Sequence, residues 1–313
     1  SMTVLMPSIA ARVFNVPLMI EPSKAAAFLI GFGGRIVDGG IALAEIEPSR
    51  HMAFANGRLA DRPSSDFMGL VGDPLGRAYE RAGVGDRLFD RVGSVAIIAV
   101  EGTLVRKGKF VGQSSGETSY EGLQAQIARA TRDDAIKGVV FEIDSYGGEV
   151  AGAFETARMI AALSAKKPTV AILTDFALSA GYLLGAAARQ IVMPETGAAG
   201  SIGVITMHAD FSRKLDADGI TVTLIASGAH KADAHPSLPL DEAVRKNIQA
   251  RVDQTRELFA SAVGLFRGSR LTMNAALATE AETYFGHEAV TAGLVDGIID
   301  PSKAFAAFVR EIN

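Results

Sequence analysis

The sequence predicts an α/β protein built on a largely parallel sheet. Three continuous apolar runs, SVAIIAV (94–100), GVVFEI (138–143) and PTVAILT (168–174), have the length of strands that are buried on both faces. Segments with apolar residues at helical spacing separate these runs, and strand and helix alternate from about residue 94 onward. Such an alternation is typical of parallel strands joined by crossover helices.

Two helices are predicted between the three runs. In SYEGLQAQIARATRD, the apolar residues Leu123, Ile127 and Ala130 recur at helical spacing, and Ser119 is a candidate N-cap. The segment EVAGAFETARMIAAL (149–163) repeats the pattern. Each helix therefore follows one strand and precedes the next.

The later elements follow the same logic. A third helix begins at Ser179, and the short run QIVM (190–193) predicts a strand. The run ITVTLIA (220–226) predicts another strand, and residues 240–266 predict a long helix. Its apolar positions are 240, 244, 248, 252, 259 and 263.

The first 90 residues differ from the rest, and we expect an N-terminal extension over 1–90 followed by one domain over 91–313. VPLMIEPSKAAAFLIGFGG (16–34) predicts a short strand and a helix begun by Pro22 and Ser23. RPSSDFMGLVGDPLG (62–76) is rich in proline, serine and glycine, which indicates a loop or linker.

Composition excludes several classes of protein. The chain has 313 residues, 48% hydrophobic and 21% charged, which fits a folded protein with a sizeable core. A net charge of −4 argues against a nucleic-acid partner, and the absence of cysteine excludes thiol catalysis, disulfides and thiolate metal sites. We expect no metal site and no cofactor. Because no run of 18 apolar residues occurs, we also expect a cytoplasmic protein without stable membrane insertion.

Paired glycines mark the first candidate site. In FEIDSYGGEVAGAF, a strand is expected to end at Ile143 and a helix to follow Gly147 and Gly148 directly. Glycines there would let backbone N–H groups face a substrate carbonyl beside a helix N-terminus. A tight strand-to-helix turn has the same requirement for glycine, so both interpretations stand at this point.

Ser179 is the second candidate. It opens the helix in TDFALSAGYLLGAAA and follows a strand, as Gly148 does, so both should lie at the carboxyl edge of the sheet. A nucleophile at a helix N-terminus fits this placement. Taken alone, a capping or packing serine fits as well.

Lys231 and His208 are the candidate bases. Lys231 follows a predicted strand in LIASGAHKADAHP. Only about one lysine in 10³ is neutral at pH 7, so burial must lower its pKa by roughly 3 units before it can accept a serine proton. A solvated loop lysine is the ordinary interpretation. In AAGSIGVITMHAD, Ser201 could orient a lysine, and His208 could act as an alternative base.

Five motifs in this order resemble peptidase family S49, the signal peptide peptidase A family that includes phage capsid-assembly proteases. They are IDSYGGEV, LSAGYLLGAAA, GAAGSIGV, SGAHKADAHP and GHEAVTAGLVD, and the similarity covers about residues 92–300. The resemblance implies a crotonase/Clp-like α/β fold of repeated ββα and βα units with a smaller N-terminal extension, and a serine endopeptidase with a Ser/Lys dyad. It implies a catalytic Ser179, Lys231 and Ser201, oxyanion N–H donors at Gly148 and Ala180, and substrate contacts at Gly147, Gly148, Ile202, Gly203 and Val204.

The chain departs from the family pattern in one turn, and its extension narrows the choice within the family. Tyr146 stands where relatives commonly have proline before the paired glycines. The extension resembles that of phage and prophage members, which favours a homo-oligomeric capsid-assembly protease that cleaves a scaffold in the host cytoplasm or prohead. The alternative is a signal peptide peptidase A-like protein that degrades signal peptides.

Three further hypotheses about the function remain open. A Clp-type Ser/His/Asp peptidase would need histidine where Val204 stands, and His208 is late for that role. A crotonase-like acyl-CoA enzyme has no need of Ser179 or Lys231. The last hypothesis is a catalytically silent structural protein of a phage head.

Overall fold

A mixed sheet with helices on both faces forms the protein, which confirms the predicted α/β class. The structure, a computed structural model, describes residues 15–22, 53–55, 58–60, 88–106, 111, 113–114 and 116–313. Its strands are β1 (Leu18–Ile20), β2 (Ala53–Ala55), β3 (Arg58–Ala60), β4 (Asp90–Val92), β5 (Val95–Val105), β6 (Gln113–Ser114), β7 (Glu117–Ser119), β8 (Gly138–Glu149), β9 (Thr169–Leu178), β10 (Gln190–Met193), β11 (Ala198–Gly200), β12 (Thr283–Phe285) and β13 (Gly297–Ile298).

Helices follow most of the parallel strands. They are α1 (Tyr120–Arg132), α2 (Ala153–Lys166), α3 (Ala180–Ala186), α4 (Ser212–Ala217), α5 (Glu242–Arg267), α6 (Met273–Ala278), α7 (Gly286–Thr291) and α8 (Pro301–Ile312), with a 3₁₀ turn at Gly268–Arg270. The predicted cap of α1 is confirmed, because the Ser119 hydroxyl accepts a hydrogen bond of 3.0 Å from the Gly122 N–H.

The sheet runs in the order β12-β11-β9-β8-β5-β7-β6, and β5, β8 and β9 pair in parallel at its centre. Side chains of one strand alternate between its two faces. Phe141 belongs to the main core, which includes residues of α1, α2 and α3, whereas Val140 belongs to the smaller core beside α8. The central strands are therefore buried on both faces, as their continuous apolar runs predicted.

One central strand extends further than predicted. The strand expected to end at Ile143 continues to Glu149 after a register shift, so Gly147 and Gly148 are strand residues. The next helix begins only at Ala153. The prediction of a tight turn at the glycines was wrong, because β5 and β1 supply partners that prolong the ladder.

The prediction of a strand over 220–226 was also wrong. None of these residues is in a strand, and the Ile225 side chain is 97% exposed. A β-favouring composition forms a strand only where a neighbouring edge accepts its hydrogen bonds, and no such edge adjoins this segment in the described residues.

Residues 209–258, here called the arm, contain no buried residue. The arm includes α4, residues 220–226 and the first four turns of α5. The long helix forms as predicted, but of its expected apolar face only Phe259 and Val263 are buried. No helix within the described part of the chain is long and apolar enough to cross a membrane. The helix expected after Pro22 and the linker expected over 62–76 lie outside the described residues.

Candidate active site

Ser179 occupies the turn from β9 into α3. Its N–H donates to the Gly200 carbonyl (2.9 Å), and its carbonyl accepts from the Leu183 N–H (3.0 Å). These bonds hold Ser179 at φ 55° and ψ −120°, a backbone conformation that residues with side chains rarely adopt. Such strain is common at functional sites. The Ser179 side chain makes no cap hydrogen bond to α3, so its hydroxyl does not serve as an ordinary helix cap.

The paired glycines lie directly beside this serine. A Cβ atom built on Gly147, where φ is 96°, would lie 2.9 Å from Ser179 Cβ and 3.0 Å from the Ala180 nitrogen. A Cβ on Gly148 would lie 1.9 Å from the Leu104 carbonyl oxygen. Only glycine fits either position, and Gly147 lies directly beside Ser179 and Ala180, whereas the prediction had named Gly148.

Two backbone N–H groups near the serine differ in whether they are already bonded. Ala180 is the first residue of α3, so its N–H has no partner within the helix. The Gly147 N–H is already bonded to the Ser145 hydroxyl (3.1 Å), whose own proton goes to the Gly102 carbonyl (2.7 Å). Ser145 therefore fixes the glycine strand, a supporting role that the sequence motif did not single out.

Residues 201–204 form a second boundary of the site, in addition to the paired glycines. Ser201 has φ 53°, donates its N–H to the Glu282 carbonyl (2.9 Å) and accepts from the Gly203 N–H (2.8 Å). The Ser179 hydroxyl lies 3.5 Å from the Gly203 carbonyl oxygen. Ile202 is fully buried and Val204 is 9% exposed, so this boundary is mostly apolar.

Lys231 is not part of this cluster in the single chain. It lies on the arm in a run of turns, is exposed, and no described residue accepts a hydrogen bond from its ammonium group. The structure therefore brings together Ser179, Ala180, Gly147, Gly148 and residues 201–204, whereas no hydrogen bond links the exposed Lys231 side chain to any of them.

Among the described residues, no carboxylate forms a hydrogen bond with the His208 ring. Its Nδ1 lies 3.1 Å from the Asn15 side-chain oxygen, and a histidine base of the Ser/His/Asp kind is oriented by an acidic residue instead. Among the residues that the structure describes, no group of three or more acidic or histidine side chains converges as a metal site would need.

The position of α3 is set by a buried network behind it. The Tyr182 hydroxyl donates to the Leu294 carbonyl (2.9 Å), and burial raises the pKa of this phenol far above its usual range. Nearby, the fully buried Arg267 side chain pairs with Asp296 (2.9 Å). Burial of Asp296 opposes its ionisation, but the Arg267 hydrogen bonds and charge outweigh it and lower its pKa.

Comparison with known proteins identifies a family for the part of the chain that carries most of these residues. Residues 161–310 match the model of peptidase family S49. The resemblance to this family is confirmed. Capsid assembly protease C of Escherichia phage lambda is 35% identical over 299 residues, which cover 96% of this chain and 64% of that protein.

Two further proteins extend the comparison. An SppA-type signal peptide peptidase from Enterococcus faecium is 31% identical over 218 residues, covering 68% of this chain and 62% of that protein. The chain thus spans less than two thirds of both curated relatives. Among solved structures, a mutant of ClpP1 from Listeria monocytogenes is similar with a TM-score of 0.40 at 14% identity, covering 65% of this chain and 91% of that chain.

Proposed function

We propose that this chain is a serine endopeptidase of phage head assembly in which Ser179 is the nucleophile and Lys231 the base. The observation that supports it most is the strained, buried Ser179 beside Gly147 and the Ala180 N–H. The similarity to the lambda protein named capsid assembly protease C supports the setting. We assign the peptidase domain to 91–313 and treat 1–90 as its extension.

The chemistry needs four parts. Ser179 Oγ attacks the peptide carbonyl, and the N–H groups of Gly148 and Ala180 stabilise the oxyanion, each such donor being worth about 10²–10³ in rate. Lys231 takes the serine proton and passes it to the leaving amine, and Ser201 orients the lysine. The peptide lies along Gly147 and Gly148 on one side and residues 202–204 on the other.

Lys231 needs a second copy of the chain to become this base. An exposed ammonium keeps its proton at neutral pH, whereas burial favours the neutral form. The arm that carries Lys231 exposes large apolar side chains, among them Ile220, Ile225 and Leu238. Packing of these side chains against a neighbouring copy would desolvate the lysine, so we propose that the working form is a homo-oligomer.

The phage relative supports a setting for this chemistry. We place the protein in the host cytoplasm or in the prohead, where a scaffold protein is the substrate. The Enterococcus relative supports a second candidate, the degradation of signal peptides. Cleavage of a purified scaffold but not of signal peptides would favour the first of these.

Replacement of the dyad tests the chemistry. Ser179→Ala and Lys231→Ala should each lower peptide hydrolysis by at least about 10³-fold, because members of a catalytic unit fail together. His208→Ala should stay within about tenfold of the parent chain, since a lysine base makes the histidine dispensable. Lys303→Ala, at an exposed lysine on α8 outside the arm, is the matched control. Loss of activity in the His208 variant with retention in the Lys231 variant would replace the dyad by a Ser/His mechanism.

A further inference from the structure

β1 fills the space beside Ser179 where a substrate peptide would lie. At this end of the sheet β9 turns away at Ser179, which leaves a gap between the end of β8 and residues 203–207. β1 enters that gap and pairs antiparallel with β8 on one side and with Ile205 on the other. Ser179, at this end of the sheet, is 0% exposed.

The backbone of β1 alternates between the two walls of the gap. Leu18 exchanges both of its hydrogen bonds with Ile205 (2.7 and 2.9 Å). On the opposite side, Glu21 donates to the Tyr146 carbonyl (2.9 Å), and Met19 is aligned with Gly148. Hydrogen-bonded pairs recur at every second residue of an antiparallel ladder. The register therefore directs the Gly148 N–H at the Met19 carbonyl oxygen.

The same carbonyl lies close to the serine. The Cβ position of Gly147 would be 2.1 Å from the Met19 carbonyl oxygen, 2.9 Å from Ser179 Cβ and 3.0 Å from the Ala180 nitrogen. The Gly147 Cβ position is thus close to the Met19 carbonyl oxygen, to the nucleophile Ser179 and to the proposed oxyanion donor Ala180. The Met19 side chain is 0% exposed and belongs to the main core, so it occupies an apolar pocket at the site.

From this convergence we infer that the chain is its own first substrate and that Ser179 cleaves the Met19–Ile20 peptide bond. The inference rests on the proposed function of Ser179 and Lys231. Ser179 Oγ bonds to the Met19 carbonyl carbon, the bond from that carbon to the Ile20 nitrogen breaks, and the base delivers the serine proton to that nitrogen. Water then hydrolyses the ester, which releases a fragment ending in Met19 and frees the gap for other peptides.

Intact-mass measurement and N-terminal sequencing of the incubated full chain test this step. The parent chain should yield a product that begins with Ile20, and Ser179→Ala should stay whole. When the two are mixed, the Ser179→Ala chain should remain uncut, because each strand is seated in its own site. Cleavage of the inactive chain as fast as the active one would overturn the inference.

Substitutions within β1 provide the controls. Met19→Asp should slow cleavage at least about tenfold, because a carboxylate is costly to bury without a partner. Met19→Leu should retain cleavage, which separates pocket chemistry from misfolding. Val16→Asp is the matched control, since Val16 lies just before β1 and is 37% exposed. Equal cleavage of Met19→Asp and Val16→Asp would overturn the assignment of the bond.

Failure of the inference can be told apart from failure of the proposed function. If the parent chain hydrolyses an added peptide and its Ser179 reacts with a fluorophosphonate while Met19–Ile20 stays intact, self-cleavage is wrong and the peptidase proposal stands. If the chain neither hydrolyses peptides nor reacts with the fluorophosphonate, the proposed function itself is wrong.

Discussion

Ser179 adopts an unfavourable backbone conformation, which fixes the position of its hydroxyl. Its φ of 55° costs about 1–3 kcal/mol for a residue with a side chain, and the hydrogen bonds to Gly200 and Leu183 hold it there. The neighbouring Ser201 has a similar φ of 53°. Two strained serines on facing turns are more than packing requires, since glycine would fit both backbones without strain.

Ser179→Gly should therefore raise stability while it abolishes hydrolysis. We expect the midpoint of thermal unfolding to rise, because glycine relieves about 1 kcal/mol or more of strain that exceeds its added chain entropy. Ser179→Ala keeps the strain and should not show this rise. Calorimetry of the three chains decides the point, and a lower midpoint for the glycine variant than for the alanine variant would contradict it.

At the scale of single elements, α5 combines two different environments. Its first four turns belong to the exposed arm, whereas Phe259, Val263 and Arg267 are buried at its end. Arg267 pairs with Asp296, and Asp296 in turn accepts the Ile191 N–H at the start of β10 (2.7 Å). The end of α5 is thereby tied to the sheet edge behind α3.

Arg267→Met should destabilise the protein by about 3 kcal/mol, because it leaves the Asp296 charge partly buried without its main partner. Denaturant unfolding measures this. Arg245→Met, which breaks the exposed pair with Glu242, should leave the unfolding midpoint unchanged. Equal effects of the two substitutions would show that the buried pair has no special role.

The same pair predicts a dependence on pH. Because Arg267 lowers the pKa of Asp296 in the folded state, the pair's stabilisation is present at neutral pH. It is lost as the pH falls below the unfolded value of about 3.9 and through the lowered folded pKa. The Arg267→Met chain should lose less stability than the parent over this acid range.

At the scale of the whole molecule, the lack of any buried residue in the arm has no explanation within a single chain. A stretch of this length without a buried residue cannot stabilise itself by burial of apolar surface, and its apolar side chains form the kind of surface that partners cover. The proposed base lies on it. Assembly and activity should therefore rise together.

Ile225→Asp should prevent assembly and lower the specific activity at least about tenfold, since a charge at a residue that is 97% exposed disturbs only an intermolecular contact. Sedimentation equilibrium and peptide hydrolysis are measured on the same samples. Val92→Asp, at a 43% exposed apolar residue of β4 outside the arm, should change neither. A fully active monomer of the parent chain would contradict the oligomer.

Local pattern was a good guide where an element depends on its own residues. The spacing of Leu123, Ile127 and Ala130 and the cap at Ser119 identified α1 without any knowledge of its neighbours. The continuous apolar runs identified β5, β8 and β9 because burial on both faces excludes polar side chains. The same alternation predicted that Ser179 and Gly148 lie at one edge of the sheet.

The sequence by itself thus determined the α/β alternation, the capped helix α1 and the order of motifs that resembles family S49. Only the tertiary structure decided that β8 continues through Gly148, that 220–226 forms no strand, that Lys231 is exposed, and that β1 occupies the gap beside Ser179. The reason is that helical spacing and capping are written within a few neighbouring residues. A strand needs a partner, and the partners of β1, Gly148 and Ile205, lie far along the chain, where no local pattern points to them.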